Sequence, residues 1–363
     1  MKTILFKSIL IALLVFPVAL MANDGKMKGK YTKEKTLKKE YQVNSDALLK
    51  VNNKYGNVTL SSWNENRVMI EVHIKTNGNN EEKVQAKLDE ITVDFEGSSS
   101  EVSARTILNK NKSSWGWSWG KNNNINMQIN YTIKLPVKNS INLNNDYGGI
   151  NIDRIDGHAK INCDYGRLDI GELRGRNNQL NFDYTSKSRI GYINSGEINA
   201  DYSGFTIEKS GNLIIKADYT SASVGTMENL VYSCDYGGLA VSEVQNIEGN
   251  GDYIGVHLGK VHGNLAINAD YGALKVDELA ADAGNVSISS DYTSVKIGYH
   301  ANYNFTFELS AEYAGIGGLE DANLQIKEVK NNKKFYKGYY GNQNSGNTVT
   351  IKSEYGGISL HKK

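Results

Sequence analysis

Along residues 160–170, KINCDYGRLDI, apolar and polar positions alternate: Ile161, Cys163 and Tyr165 share one parity, Asn162 and Asp164 the other. After Gly166 the phase shifts, and Leu168 and Ile170 become the apolar pair. Alternation with period two marks a half-buried strand, and a phase change across a glycine marks a tight bend. The same pattern runs through 143–152, 265–276 and 286–297, with second bends at Gly157, Gly175, Gly196, Gly211, Gly263 and Gly284. Each unit is expected to be strand, glycine bend, strand, polar bend.

An acid followed by tyrosine punctuates these units eleven times. The tyrosines are Tyr147, Tyr165, Tyr184, Tyr202, Tyr219, Tyr236, Tyr253, Tyr271, Tyr292, Tyr313 and Tyr355. The acids are Asp146, Asp164, Asp183, Asp201, Asp218, Asp235, Asp252, Asp270, Asp291, Glu312 and Glu354. Spacings of 17–21 residues, with a final gap of 42 that leaves room for an unmarked unit, are the signature of a solenoid. The expected fold is all-β: a single-stranded parallel β-helix, with units ~4.8 Å apart and a rod roughly 50 Å long. No six-residue subperiod is present and unit length drifts, which favours the right-handed form. Only two prolines interrupt 363 residues, as continuous ladders require. Small residues before the acids (Ala200, Ala217, Cys234, Gly251, Ala269, Ser290, Ala311, Ser353) point to a narrow interior beside an inward column of stacked tyrosines.

Ahead of the repeats, residues 1–22 have the form of a signal peptide: Lys2 and Lys7, an apolar run, then Ala22. Residues 23–45 are lysine-rich without hydrophobic pattern, and are expected to be a basic linker. From 46 to 135 a β-rich cap is expected, with strands at 68–74, 91–95, 102–107 and 125–135. A helix over 81–90 sets Val84, Leu88 and Ile91 on one face. The cap would cover the first open end of the ladder, and 136–363 is the repeat domain, with a long loop at 327–347.

The stretch Tyr55-Gly56-Asn57-Val58-Thr59-Leu60, Trp63, the charged helix, Tyr131-Thr132-Ile133-Lys134-Leu135-Pro136, and the final aromatic-glycine loop with Tyr355-Gly356-Gly357-Ile358 carry a family resemblance. Over most of 46–363 the chain resembles the bacterial putative adhesins, including the adhesin-head group of the Bacteroidetes. The resemblance implies an exported β-helix. The acid–tyrosine pairing here is denser than the loose Gly-x-Ile pattern of that family.

Charge decides little: 41 Lys plus Arg face 40 acids, so no field points to nucleic acid. No apolar run after the leader is long enough to span a membrane. Cys163 and Cys234 fall four units apart in one column, roughly 19 Å at ~4.8 Å per unit, beyond disulfide reach. They are expected to be buried free thiols.

Three candidate sites stand out. The acid file would repel itself unless each Asp caps its own glycine bend as an Asx-turn, or the file holds Ca²⁺. The calcium-binding nonapeptide is absent, which favours capping without a cofactor. Trp115, Trp117 and Trp119 lie within five residues of a polar loop, either packed on the cap or touching sugars, protein or lipid headgroups. Tyr336, Tyr339 and Tyr340 sit in a basic loop that either stacks on a glycan or folds over the open end as a lid. The six histidines have no metal spacing, and no GxSxG, phosphate-loop or HExxH motif occurs. The chain is therefore expected to be an exported, non-enzymatic, adhesin-like protein of a Gram-negative bacterium. It would bind or scaffold at the envelope, in the periplasm or at the surface, with a glycan or protein partner. The alternatives are an extracellular β-helix lyase or glycosidase, whose site needs one unit to differ, and a purely structural periplasmic element.

Overall fold

A computed structural model describes residues 27–109 and 125–363. It is all-β with one short helix and a long, largely parallel sheet, consistent with a β-helix. The expected signal peptide and the three tryptophans of the 115–119 loop lie outside the described residues.

Within the repeats, strands pair in parallel with the equivalent strands of the neighbouring units: Lys160–Asp164 faces Gln179–Asp183 on one side and Asn142–Asp146 on the other. Apolar residues of the alternation point inward and form one continuous core from Val43 to Leu360. The residue before each acid is buried, with Asn145, Cys163, Phe182, Ala200, Ala217, Cys234, Ala269 and Ser290 in one file. Phe182 fits by meeting Phe205 edge-on at 5.4 Å. The two cysteines are free and buried, and desolvation pushes both thiols up to about 12.

The order of rungs departs from the order of the chain at both ends. Residues 349–354 lie between 286–291 and 306–312, pairing in parallel with both. The unit of Tyr355 is therefore second from the end, and no unmarked unit separates Tyr313 from Tyr355, contrary to the spacing argument. At the opposite end 48–54 pairs with 140–146 inward and 101–105 outward, so the first repeat is also second from its end. The expected boundary at 136 is corrected accordingly: residues 48–63 belong to the stack.

The helix Glu81–Glu90 starts at Asn80, whose side chain accepts from the Lys83 N–H, and buries Val84 and Leu88. Residues 31–42, expected as linker, form a 12-residue strand antiparallel to 67–78. Its inward positions are lysines as well as Tyr31, Leu37 and Tyr41, which hid the alternation. Lys33 pairs with Glu81 at 2.6 Å, and Lys35 Nζ donates to the Leu88 carbonyl at 2.6 Å, near the helix C-terminus. The lysine stems cover apolar surface while their charges reach partners at the rim. At the far end Lys333–Tyr340 lies antiparallel on 305–312 and carries Asn323–Lys330 outside it.

Candidate functional site

The tyrosines do not line the interior. Twelve of them, with Tyr55 added to the expected eleven, have φ between 49° and 65°. A left-handed residue leaves the strand alternation, so the side chain that parity assigns to the core turns outward at the corner. The rings are 36–53 % exposed. They form one stack in rung order, from Tyr55 and Tyr147 through Tyr292 and Tyr355 to Tyr313, with centroids 4.6–5.3 Å apart and planes within 9°.

Left-handed geometry costs a non-glycine residue ~1–2 kcal/mol, while a stacked aromatic pair contributes ~0.5–1.5 kcal/mol. Twelve rings make eleven pairs, so stacking roughly offsets the backbone cost. Each tyrosine N–H also keeps the ladder, as Tyr165 does by donating to the Asp183 carbonyl at 3.1 Å. The next residue turns back toward the axis. A Cβ on Gly148, Gly166, Gly237, Gly272 or Gly356 would stand 2.0–2.1 Å from a carbonyl oxygen of the adjacent rung. Where this position is Thr or Ser, hydroxyls serve the turn instead: Ser203 N–H donates to Thr220 Oγ1 at 3.0 Å and Gly272 N–H to Thr293 Oγ1 at 2.9 Å.

The acids form a second outward file. Their capping runs between rungs and not within the bend: Oδ1 of Asp183, Asp201, Asp218, Asp235 and Asp270 accepts the N–H of the next rung's Asp at 2.9–3.2 Å. At these five acids a cross-rung cap stands where an Asx-turn was expected, using one oxygen of the carboxylate and leaving the like charges adjacent. Desolvation, followed by the neighbouring carboxylates, holds Asp164 and Asp252 above the usual carboxylate range. Cations stand at the two ends of the file: Lys54 Nζ lies 2.8 Å from Asp146 and Lys333 Nζ 2.9 Å from Glu312. Among the described residues, none of the nine acids between them has a salt-bridge partner.

Sequence reading also missed an asparagine ladder. Asn162, Asn181 and Asn199 each donate from Nδ2 to the Oδ1 of the preceding rung's Asn at 2.6–2.8 Å, beginning at Asn144. Recurrence of Asn two places before the acid was the available signal.

A third file lies two residues past each tyrosine. From Gly204 it runs through Ser221, Gly238, Gly255, Ala273 and Ser294 to Gly357 and Gly315. Nothing here larger than a methyl or hydroxymethyl rises from the backbone. A Cβ on Gly255 or Gly315 meets nothing within 4 Å, and on Gly238 or Gly357 nothing nearer than 3.9 Å.

Tyr336 and Tyr340 are absorbed by the end hairpin. Tyr336 is 8 % exposed with Lys327 Nζ 5.4 Å above its ring. Tyr340 packs 4.8 Å from Tyr299 and donates its hydroxyl to the Ala301 carbonyl at 3.0 Å. Tyr339 lies on the same strand, opposite Thr306. These rings build the lid and do not converge on a site. His262 bridges Glu243 and Asp282, each at 2.9 Å. Among the described residues no cluster of His, Cys, Asp and Glu is placed to hold a metal ion, and no helix is long and apolar enough to cross a membrane.

No family model matches the chain, and no curated protein does. Solved structures do. A putative adhesin from Parabacteroides distasonis is 13 % identical, with 75 % of this chain and 94 % of that chain covered at a TM-score of 0.31. One from Parabacteroides merdae is 12 % identical, covering 73 % and 92 % at 0.29. A putative cell adhesion protein from Clostridium sporogenes is 13 % identical, covering 91 % and 100 % at 0.18. The structural neighbours of this chain are thus putative adhesins from Bacteroidetes and Clostridium, at low sequence identity.

Proposed function

We propose that the chain is an exported, non-enzymatic, adhesin-like protein, a right-handed β-helical solenoid that binds or scaffolds at the cell envelope through its repeated face. One observation carries this: the tyrosine file repeats with the same geometry over the whole stack, and the acid file beside it repeats its cross-rung cap at five rungs. A catalytic centre needs one rung to differ from its neighbours, whereas a repeated face suits a long or multivalent partner. The aromatic edges and carboxylates of the two files lie outside, where a partner reaches them, and the interior is filled mainly by aliphatic side chains.

Protease treatment of intact cells, with a periplasmic protein as control, tests the placement. Digestion from outside supports display at the surface. Protection until the outer membrane is broken overturns adhesion and leaves a periplasmic scaffold.

A further inference from the structure

The glycine file asks for an explanation that the fold does not supply. Gly237 is required, since a Cβ there would meet the Thr220 carbonyl oxygen at 2.1 Å. Gly238, Gly255, Gly315 and Gly357 are not: none has positive φ, and a Cβ at each would enter open space. Glycine weakens a strand, and where packing does not demand it, it marks a place that a ligand or another backbone approaches closely. Beside this smooth strip stand the tyrosine edges. Among the described residues, no protein group hydrogen-bonds a ladder phenol. Beyond them lie the eight carboxylates from Asp164 to Asp291, none of which has a salt-bridge partner among the described residues, whereas Lys333 acts on both Glu312 and Glu354 at the end of the file.

The stack also limits which partner fits. Each inner ring has its two faces against its neighbours, so stacking of a neutral sugar, or a cation placed over a ring face, is confined to the outer faces of Tyr55 and Tyr313. What remains along the strip is a row of edges, hydroxyls and negative charge. We infer that the strip from Gly204 to Gly315 is the docking surface for an extended, lysine- or arginine-bearing polypeptide. Its backbone lies along the small-residue file, and its basic side chains reach across the tyrosine edges to Asp218, Asp235, Asp252, Asp270 and Asp291. This deepens the proposed binding role by naming the partner's chemistry.

The test is fluorescence anisotropy of labelled octalysine with the full mature chain. Octaglutamate and a neutral chito-oligosaccharide serve as comparison probes. Octalysine is expected to bind, and to weaken as salt shortens the Debye length to ~8 Å. G238L/G255L fills the strip where space is open, and should lower affinity about tenfold or more, a loss of ~1.4 kcal/mol. A266L, exposed on the same stack away from the strip, should leave it unchanged, and neither variant should melt below wild type. D235N/D252N keeps the acceptor oxygens and should weaken binding and flatten its salt dependence. Absence of octalysine binding, equal binding by G238L/G255L, or salt-independent preference for the neutral sugar overturns the assignment. Cell-surface digestion reads out separately: a protected periplasmic chain that still binds octalysine through the strip removes the adhesin role and keeps the docking surface.

Discussion

The ring of Tyr292 stacks on that of Tyr355, with centroids 4.6 Å apart, and not on that of Tyr313, the next ladder tyrosine in the chain. Tyr313 stacks on the far side of Tyr355 at 4.8 Å. The last repeat is thus inserted as the penultimate rung, held by parallel pairing on both sides. Removal of residues 348–363 should therefore open the stack from within. It should lower Tm far more than loss of an outer strand, and scanning calorimetry of the two truncations gives the comparison.

Neighbouring glycines at one corner should respond in opposite ways. Gly237→Ala forces a Cβ to within 2.1 Å of the Thr220 carbonyl oxygen and should destabilise by roughly 1–3 kcal/mol, in the range of overpacked sites. Gly238→Ala enters open space and should be neutral or stabilising by ~0.4–1 kcal/mol, by lowering the entropy of the unfolded chain. Denaturant unfolding of the pair measures both. Equal losses would mean that the two glycines serve the same purpose.

Tyr236 separates ring stacking from backbone strain. Tyr236→Ala removes the stack on Tyr219 and Tyr253 while keeping the left-handed backbone, whereas Tyr236→Gly also relieves the strain. The glycine variant should be the more stable of the two by ~1 kcal/mol. An alanine variant as stable as glycine would contradict the account of the turn.

The ladder should give way at high pH. Desolvation, then neighbouring phenols and acids, raises Tyr165, Tyr236, Tyr271 and Tyr355, while burial carries Tyr131 up to about 12. An acid whose folded pKa lies above its unfolded value favours the fold while protonated. That contribution is lost as pH rises past the unfolded phenol value of ~10. Phenolate absorbance should therefore appear later than in free tyrosine and end in unfolding. Asp164 and Asp252 are also raised, so Asp252→Asn should stabilise the fold at neutral pH. That gain should vanish as acid protonates the wild type.

Much of this architecture was legible in the sequence. The acid–tyrosine period marked the rungs, and the 3.6-residue pattern of Val84 and Leu88 marked the helix. The direction of the tyrosines was not. Parity groups Tyr165 with Ile161 and Cys163, and only the left-handed backbone takes its ring out of that set. Tyr55 stands outside the acid–tyrosine count because its rung carries Lys54 where the others carry an acid, and that lysine closes the acid file. The strand at 31–42 was hidden because lysines occupy inward positions, their charges answered by a helix whose contacts lie 48 and 53 residues further on. The smooth file from Gly204 to Gly315 needs the rungs in spatial register before its glycines line up.

Attachment of cells tests the whole account most directly. A strain lacking the chain is complemented with wild type, with A266L or with G238L/G255L at matched surface levels, and adhesion to a surface coated with basic peptide is counted. Wild type and A266L should restore attachment and G238L/G255L should not. Equal attachment by the strain lacking the chain, or full rescue by G238L/G255L, would contradict a binding role for the repeated face.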